Sequence, residues 1–534
     1  KMSNLAIIVN FLQGGGAERC AADLSVYFAE HGFNIFIFMD LTYDIKYEYK
    51  GKLVNFTYQM NGSGKDAVIG KVDELRRLKE QYDIDISISF MQFANYMNIL
   101  SKGREKVILT THSVNSEYAK YDKSVFWAEE TFSDLYQYAD LITFPSEYCR
   151  KDWIGHYGDK KGITRTIYNP VHAMPITESE NKKNIIITVG RLHGIKRQWH
   201  IIRAFKRVKE HLADSKLIIL GEGELKQKLE DLIDELGLNS EVEMPGNVTN
   251  VQDYLKMAKV FVMTSRMESM GCAPLEAMNT GVPVVSCDFP GGIREVIGIL
   301  CSQEYITEPI HGECGVLVPD IKEFYTNDLT EEEKILADEI VQLLKDDKTR
   351  CDMGEKARVR ASCFSLECIG KKWMEEIASI IRKRPSEFQE FYIAKEKSIN
   401  SISEISDNKY EMYISYFRLL EKWMVLREKN VSTGQYFQKY GMKNIIIYGM
   451  GKMAHHLLED LKGSQIKIVC AIDRSVNNCN FNSSFPVITG ESEIPNADCI
   501  IITPVYEASY IKQELEGKTS LPVISLSEVI EKCI

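Results

Sequence analysis

The sequence predicts an α/β protein: two doubly wound parallel-sheet domains facing a cleft, with a smaller α/β domain at the C-terminal end. Three observations carry this. Short unbroken runs of aliphatic and β-branched residues recur, each followed by glycine or polar residues and then a helical pattern. Strands buried on both faces of a parallel sheet read this way. The length of 534 residues exceeds what one core accommodates, so roughly two to four domains are expected. The alternation also stops near Ile167-Tyr168-Asn169-Pro170-Val171 and begins afresh at Asn184.

In chain order, Leu5-Ala6-Ile7-Ile8-Val9-Asn10 reads as the first buried strand. A glycine turn and a helix from about Ala17 to His31 follow, and Gly32 ends that helix. Strands are expected at Asn34–Met39, Ile84–Phe90, Lys106–Thr111 and Leu141–Phe144. The polar run 177–183 after Pro170 sets the first boundary, giving an N-terminal domain of residues 1–172. A second domain, 173–384, has strands at Asn184–Val189, Lys216–Leu220, Val260–Met263 and Val282–Ser286, and helix throughout 330–382. Residues 385–440 read as a polar, acidic linker followed by a helical region. Residues 441–534 form the third unit, with strands at Asn444–Tyr448, Ile466–Ile472 and Cys499–Thr503.

Composition narrows the function. Charged residues make up 26% and the formal net charge is -11, which argues against broad nucleic-acid binding. Thirteen cysteines are scattered without C-x-x-C or zinc spacing, so reduced thiols and a cytoplasmic setting are predicted and no metal is expected. The run Leu5–Val9 is too short for a signal-peptide core or a membrane span. Arg76, Arg77, Lys79, Lys102, Arg104 and Lys106 are the candidates for peripheral contact with the inner face of a membrane. A solvated charged face is the plainer explanation for them.

The most informative stretch runs from Ser265 to Met278. Glu268 follows a strand, and Pro274 is expected to open a helix with Glu276 in its first turn. Backbone amides of the loop and the positive end of the helix suit an anion, and the two carboxylates suit hydroxyls. Amides for phosphate beside carboxylates for hydroxyls fit a nucleotide-activated sugar. Arg191 and Lys196, in Gly190-Arg191-Leu192-His193-Gly194-Ile195-Lys196, lie beyond the carboxyl end of a strand, where open sheets bind ligands. A guanidinium and an ammonium there can hold a diphosphate and gain strength as it departs. In Gln13-Gly14-Gly15-Gly16-Ala17-Glu18-Arg19, three glycines between strand and helix allow close backbone approach to a ligand. A mere tight turn is the alternative.

These motifs occur in a fixed order: Gly14-Gly15-Gly16-Ala17-Glu18-Arg19, Gly190-Arg191-Leu192 with Lys196, Glu268 to Glu276, then Gly281-Val282-Pro283-Val284-Val285. Together they resemble family 4 of the retaining nucleotide-sugar glycosyltransferases, which have the GT-B fold, over about residues 4–380. The resemblance implies that Arg191 and Lys196 bind the donor diphosphate and that Glu276 accepts from the ribose hydroxyls. It implies that Glu268 contacts the transferred sugar, that Gly271 and Cys272 cap the phosphates, and that Gly15 and Gly16 let the first domain close on the donor. His112 matches a histidine that reaches the donor sugar, and Asn169-Pro170 matches the interdomain hinge. The chain departs from the family at Ser269-Met270, where many members carry Gly-Phe. The polar insertion between Ile297 and Gly315, with Cys301, His311 and Cys314, reads as a surface loop.

The expected donor is a nucleotide sugar, a UDP-sugar first. The expected acceptor is a saccharide, lipid-linked or protein-linked, in bacterial surface polysaccharide or glycoconjugate synthesis. In the tail, Gly449-Met450-Gly451-Lys452-Met453-Ala454 with Asp473 fits a Rossmann-like dinucleotide pattern; the unit reads first as a folding, dimerisation or partner-docking module, through which homo-oligomers could form, and second as a site for NAD. Two rival readings are a nucleotide-sugar epimerase, for which no pair of bases is evident, and a catalytically silent scaffold or dinucleotide-regulated partner protein.

Overall fold

The computed structural model describes residues 3–56, 64–117, 134–172, 183–381, 431–473 and 485–533. Excepted within these spans are 40, 42, 160, 300, 302, 322–327, 490, 491, 493 and 505–507; isolated positions at 391, 395, 419, 422, 423 and 426 are added. The expected linker and helical region therefore lies mostly outside the described residues, except for its end, which holds the helix Gly434–Lys439; most of the polar run 177–183 lies outside them too.

The first sheet has seven parallel strands in the order β3-β2-β1-β4-β5-β6-β7. They are β1 (Asn4–Ile8), β2 (Asn34–Met39), β3 (Lys52–Asn55), β4 (Ile86–Phe90), β5 (Lys106–Thr110), β6 (Leu141–Phe144) and β7 (Thr164–Thr166). The second comprises β8 (Ile185–Val189), β9 (Lys216–Leu220), β10 (Val242–Gly246), β11 (Val260–Met263), β12 (Val284–Cys287), β13 (Ile310–His311) and β14 (Gly315–Val318). Its order is β10-β9-β8-β11-β12-β14-β13. Central strands such as β4, β11 and β12 are buried along their whole length, which is why they read as continuous apolar runs. In each sheet the strand order reverses beside the first strand, at β1/β4 and β8/β11. Ligands of open α/β sheets bind at such switch points, beyond the carboxyl ends of the strands.

Both sheets belong to one compact unit. The chain crosses between the two lobes twice, and the crossings pair: Val171 bridges Ser365, and the Val171 amide donates to the Phe364 carbonyl at 2.8 Å. The expected stretch of helix over 330–382 is three helices, Glu331–Lys345, Asp347–Ser362 and Leu366–Ile381. The last returns to the first lobe. Its Ile369, Trp373, Ile377 and Ile380 enter the first lobe's core, Trp373 meets Phe28 edge-on at 6.3 Å, and Gly370 packs against the Tyr27 ring.

The insertion after Ile297 differs from a plain surface loop. Its end forms β13, which adds antiparallel to β14 at the sheet edge, and His311 pairs with Glu339 at 2.6 Å. The C-terminal unit is a separate compact body with a five-stranded parallel sheet in the order β17-β16-β15-β18-β19. Its strands are β15 (Asn444–Tyr448), β16 (Lys467–Ile472), β17 (Val487–Ile488), β18 (Cys499–Ile502) and β19 (Val523–Ser525).

Five of the basic residues considered for membrane contact are paired internally. Lys79 meets Glu105 at 2.7 Å with both side chains 3% exposed. Lys102 and Lys106 share Asp140, Arg104 meets Asp83 and Arg77 meets Glu74. The sixth, Arg76, donates to the Leu100 carbonyl. These pairings favour the structural account of the cluster over a lipid-binding one. The Lys79 ammonium also donates to Asn98 Oδ1 at 2.7 Å, and burial lowers its pKa against the opposing pull of Glu105. Glu105→Ala would leave a buried ammonium without its counter-charge, at a cost of about 3–5 kcal/mol. The expected outcome is a marked drop in the urea midpoint of the variant; an unchanged midpoint refutes the account.

Candidate active site

Lys196 and Glu268, two of the side chains singled out by sequence, meet at the switch point of the second lobe. Beyond β8 the chain runs through Gly190 and Arg191 to Lys196 and then into the helix Gln198–His211. Arg197, at the helix start, has a left-handed backbone with φ 49° and is 2% exposed. Its guanidinium donates to the carbonyls of Thr264 and Ser265, each at 2.9 Å, to that of Ile321 at 2.8 Å, and to Asp320 at 2.5 Å. The Thr264 hydroxyl returns a 2.9 Å bond to the Arg197 carbonyl. One buried cation thus fixes the loop after β8 against the loop after β11.

Lys196, held next to this clamp, forms an ion pair with Glu268, and the Ser265 hydroxyl donates to the same carboxylate at 3.0 Å. The Glu268 backbone pairs with the segment 290–292, its amide donating to the Pro290 carbonyl and its carbonyl accepting from the Gly292 amide, both at 3.3 Å. Gly291 is obligatory there: a Cβ would lie 1.7 Å from the Glu268 carbonyl oxygen, at φ 138°. Arg191 stands exposed on the same loop. It is an electrostatic neighbour of Glu18 in the first lobe, whose pKa burial raises and Arg191 opposes. His193, between the two cations in sequence, is held below its ordinary pKa first by burial.

Gly271 has φ 89° and precedes the helix Cys272–Asn279. That helix begins two residues before the expected Pro274, so Glu276 lies in its second turn. Backbone geometry at Gly271 starts the helix earlier than proline chemistry suggests. Burial pushes the Cys272 thiol up to about 11, so it remains protonated. The departure from the family at Ser269-Met270 has a structural counterpart. The Ser269 carbonyl accepts from the Ser146 hydroxyl at 2.6 Å, and Met270 Sδ accepts from the Asn169 amide at 3.1 Å.

The first-lobe glycine turn docks on this helix start. Left-handed backbone is needed at Gly14 (φ 80°), whereas Gly15 is extended. Gly16 sits beside Cys272, where a Cβ would stand 3.5 Å from the sulfur. Arg19 reaches across to Glu276 at 2.6 Å. Burial raises the Glu276 pKa, and Arg19 is the largest opposing influence. Arg19 belongs to the glycine-turn motif, but nothing in the sequence points to Glu276 as its partner.

His112 follows β5 with its ring 5.8 Å from Phe90. Among the described residues no contact joins it to Lys196 or Glu268, so it stands apart from that pair. Met91, directly after β4 at the first lobe's switch point, has φ 73° and ψ 165°, a region that glycine alone adopts easily. Sequence reasoning had no signal for it.

In the tail, the strand–turn–helix context of Gly449 and Gly451 is as expected, with β15 before and the helix Lys452–Asp460 after. Asp473, however, accepts from the Met450 amide at 2.7 Å. This carboxylate, the acidic residue of the dinucleotide pattern, closes the glycine turn. NAD gains no support and is set aside.

Comparison with known proteins bears on the family and the fold. The family described as Glycosyltransferase Family 4 matches residues 14–173, and Glycosyl transferases group 1 matches residues 173–309. An uncharacterized glycosyltransferase of Methanocaldococcus jannaschii is 32% identical over 315 residues, covering 54% of this chain and 76% of that protein. A second relative, from Campylobacter jejuni, is N-acetylgalactosamine-N,N'-diacetylbacillosaminyl-diphospho-undecaprenol 4-alpha-N-acetylgalactosaminyltransferase. It is 26% identical over 384 residues, covering 68% of this chain and 96% of that one. Among solved structures, Anabaena Alr3699/HepE in complex with UDP superposes with a TM-score of 0.57 at 18% identity, over 71% of this chain and 100% of that one. This last likeness bears on the fold.

Burial pushes the His112 pKa down to about 4 from its ordinary 6.5. The unfolded chain therefore binds more protons at this residue between those values, and folding stability is lost as pH falls from 6.5 toward about 4. His112→Gln removes this contribution. Thermal midpoints measured across that range should fall more steeply in the wild type than in the variant; parallel curves refute the assignment.

Proposed function

The chain belongs to the glycosyltransferases of the family 4 type with the GT-B fold, and we propose that it moves a sugar from a nucleoside diphosphate sugar to an acceptor hydroxyl with retention at the anomeric carbon. The observation that carries this reading is the Lys196–Glu268 ion pair at the β8/β11 switch point, just ahead in sequence of the helix Cys272–Asn279 that carries Glu276. A cation suited to a diphosphate and carboxylates suited to hydroxyls meet there.

In this reading Lys196 and Arg191 take the donor diphosphate, and their attraction grows as it departs with the bonding electron pair. Glu268 faces the transferred sugar and stabilises positive charge at its anomeric carbon. Glu276 accepts from the ribose, sharing its carboxylate with Arg19 or exchanging that partner for the donor. Gly271 and Cys272 lead the helix whose start faces the phosphates. The acceptor hydroxyl attacks from the face the diphosphate leaves, its oxygen bonds to the anomeric carbon, and its proton passes to the departing phosphate oxygen. His112, kept neutral by burial, is suited to hydrogen-bond a sugar hydroxyl. Apposition of Gly16 and Cys272 lets the first lobe approach closely and limit water.

UDP is the preferred nucleotide. Its support is the Anabaena neighbour, solved with UDP and with UDP-glucose. A lipid-linked saccharide is the preferred acceptor, supported by the diphospho-undecaprenol substrate in the name of the Campylobacter relative. Surface polysaccharide or glycoconjugate assembly is the corresponding process.

A screen of UDP-, GDP-, ADP- and TDP-sugars for released nucleotide tests the reading directly, and no release from any of them counts against it. Lys196→Ala and Arg191→Ala should each cut turnover by roughly a hundredfold or more, as loss of one preorganised transition-state donor does elsewhere. Glu276→Ala should lose affinity for UDP by titration calorimetry with an unchanged circular dichroism spectrum. Turnover should also persist in a chelator, since the side-chain cations serve the diphosphate; abolition by chelator would contradict that role.

A further inference from the structure

Glu295 carries no role in any motif considered above, yet its carboxylate joins three parts of the molecule. It lies in the short second-lobe helix Ile293–Ile297. One oxygen accepts from the amide of Glu147 at 2.8 Å and from the Tyr168 hydroxyl at 3.0 Å; the other accepts from the Tyr148 amide at 2.8 Å. Glu147 and Tyr148 are the first two residues of the first-lobe helix Glu147–Tyr157. Their amides have no partner within that helix, and a carboxylate at this end is favoured by its dipole. The third amide, of Cys149, is satisfied by Ser146 Oγ at 3.2 Å. A second-lobe side chain therefore completes the cap of a first-lobe helix.

The same contact zone holds the segment that carries Glu268. Ser146, the cap residue, donates to the carbonyl of Ser269. Gly292, three residues before Glu295, donates to the carbonyl of Glu268. A Cβ at Gly292 would come within 3.0 Å of Ser146 and of the Ser269 carbonyl, so no side chain fits between the lobes there. On its far side the helix is braced by Arg360, which donates to the carbonyls of Glu295 and Val296. Tyr168, in the crossover between lobes, is pushed up to about 12 by burial and by Glu295, so its hydroxyl stays a donor.

We propose that Glu295 is a positioning residue: by capping the helix Glu147–Tyr157 and holding Tyr168, it sets the distance between the first lobe and the segment bearing Glu268. The inference rests on the transfer reaction proposed above. The diphosphate and ribose contacts of that reaction do not pass through Glu295, so its loss should spare donor binding and impair alignment of acceptor with donor.

The test uses the full chain. Glu295→Ala should bind UDP with near wild-type affinity while turnover of the UDP-sugar found in the screen falls by roughly ten- to a hundredfold, as small misplacements of reacting groups do. Glu295→Gln keeps the shape and one acceptor and should recover part of the loss. Hydrogen exchange provides a readout independent of activity. In Glu295→Ala, peptides covering 143–152 and 265–272 should lose protection while those covering β12 keep theirs. Wild-type turnover in Glu295→Ala, unaltered exchange at 143–152, or loss of protection spread evenly over both lobes would each overturn the proposal. If no nucleotide sugar is cleaved by the wild type, the proposed reaction fails, and the exchange pattern alone then decides whether Glu295 ties the lobes.

Discussion

The buried guanidinium of Arg197 is the interaction on which the second lobe's chemistry depends. Backbone loops after parallel strands have no ladder of their own, and their carbonyls must be satisfied before they can hold a shape. Arg197 satisfies those of Thr264, Ser265 and Ile321 at once. Its geometry suits the task, since a planar fork offers five donors in fixed directions. Lys196 and Glu268 can then face each other because their neighbours on both loops are already anchored. An unanchored pair of long side chains at a surface would contribute little and point nowhere in particular.

The joint between the lobes follows a different logic. It includes several polar contacts: Arg19 with Glu276, Ser146 with Ser269, Glu295 with the start of a helix. Polar joints of this kind exchange with water at modest cost, whereas an apolar seam of equal area would resist opening. Hydrogen bonds and ion pairs thus tie the lobes around the site, while apolar packing of Tyr168 and Val171 holds the crossover. That division suits a protein whose cleft must admit and release ligands.

Much of this could be read from residues alone, and the reason is physical. β1, β6, β9, β11 and β15 announce themselves because a strand covered on both faces must be apolar throughout. β3, β7 and β10 do not: Lys52-Leu53-Val54-Asn55, Thr164-Arg165-Thr166 and Val242-Glu243-Met244-Pro245-Gly246 lie at or near sheet edges and carry the polar residues or proline that edges tolerate. Lys196 and Glu268 were legible because each follows a readable strand. Arg19 with Glu276 and Glu147 with Glu295 were not, since those partners are 257 and 148 positions apart and only tertiary structure brings them together. The glycine pattern of the tail was legible as a turn, and no ligand follows from it. Nothing in the order of residues reveals that Asp473 turns back onto the Met450 amide.

The return of the helix Leu366–Ile381 to the first lobe has a bearing on biosynthesis. Trp373 and its apolar neighbours complete a core whose other members are drawn mainly from the first 170 residues. As the nascent polypeptide leaves the ribosome, the N-terminal sheet emerges early but stays short of that wall until more than 200 further residues have been added. The ordinary vectorial sequence, in which the leading domain matures before the next is made, is thereby replaced by one in which the two lobes reach their final form together.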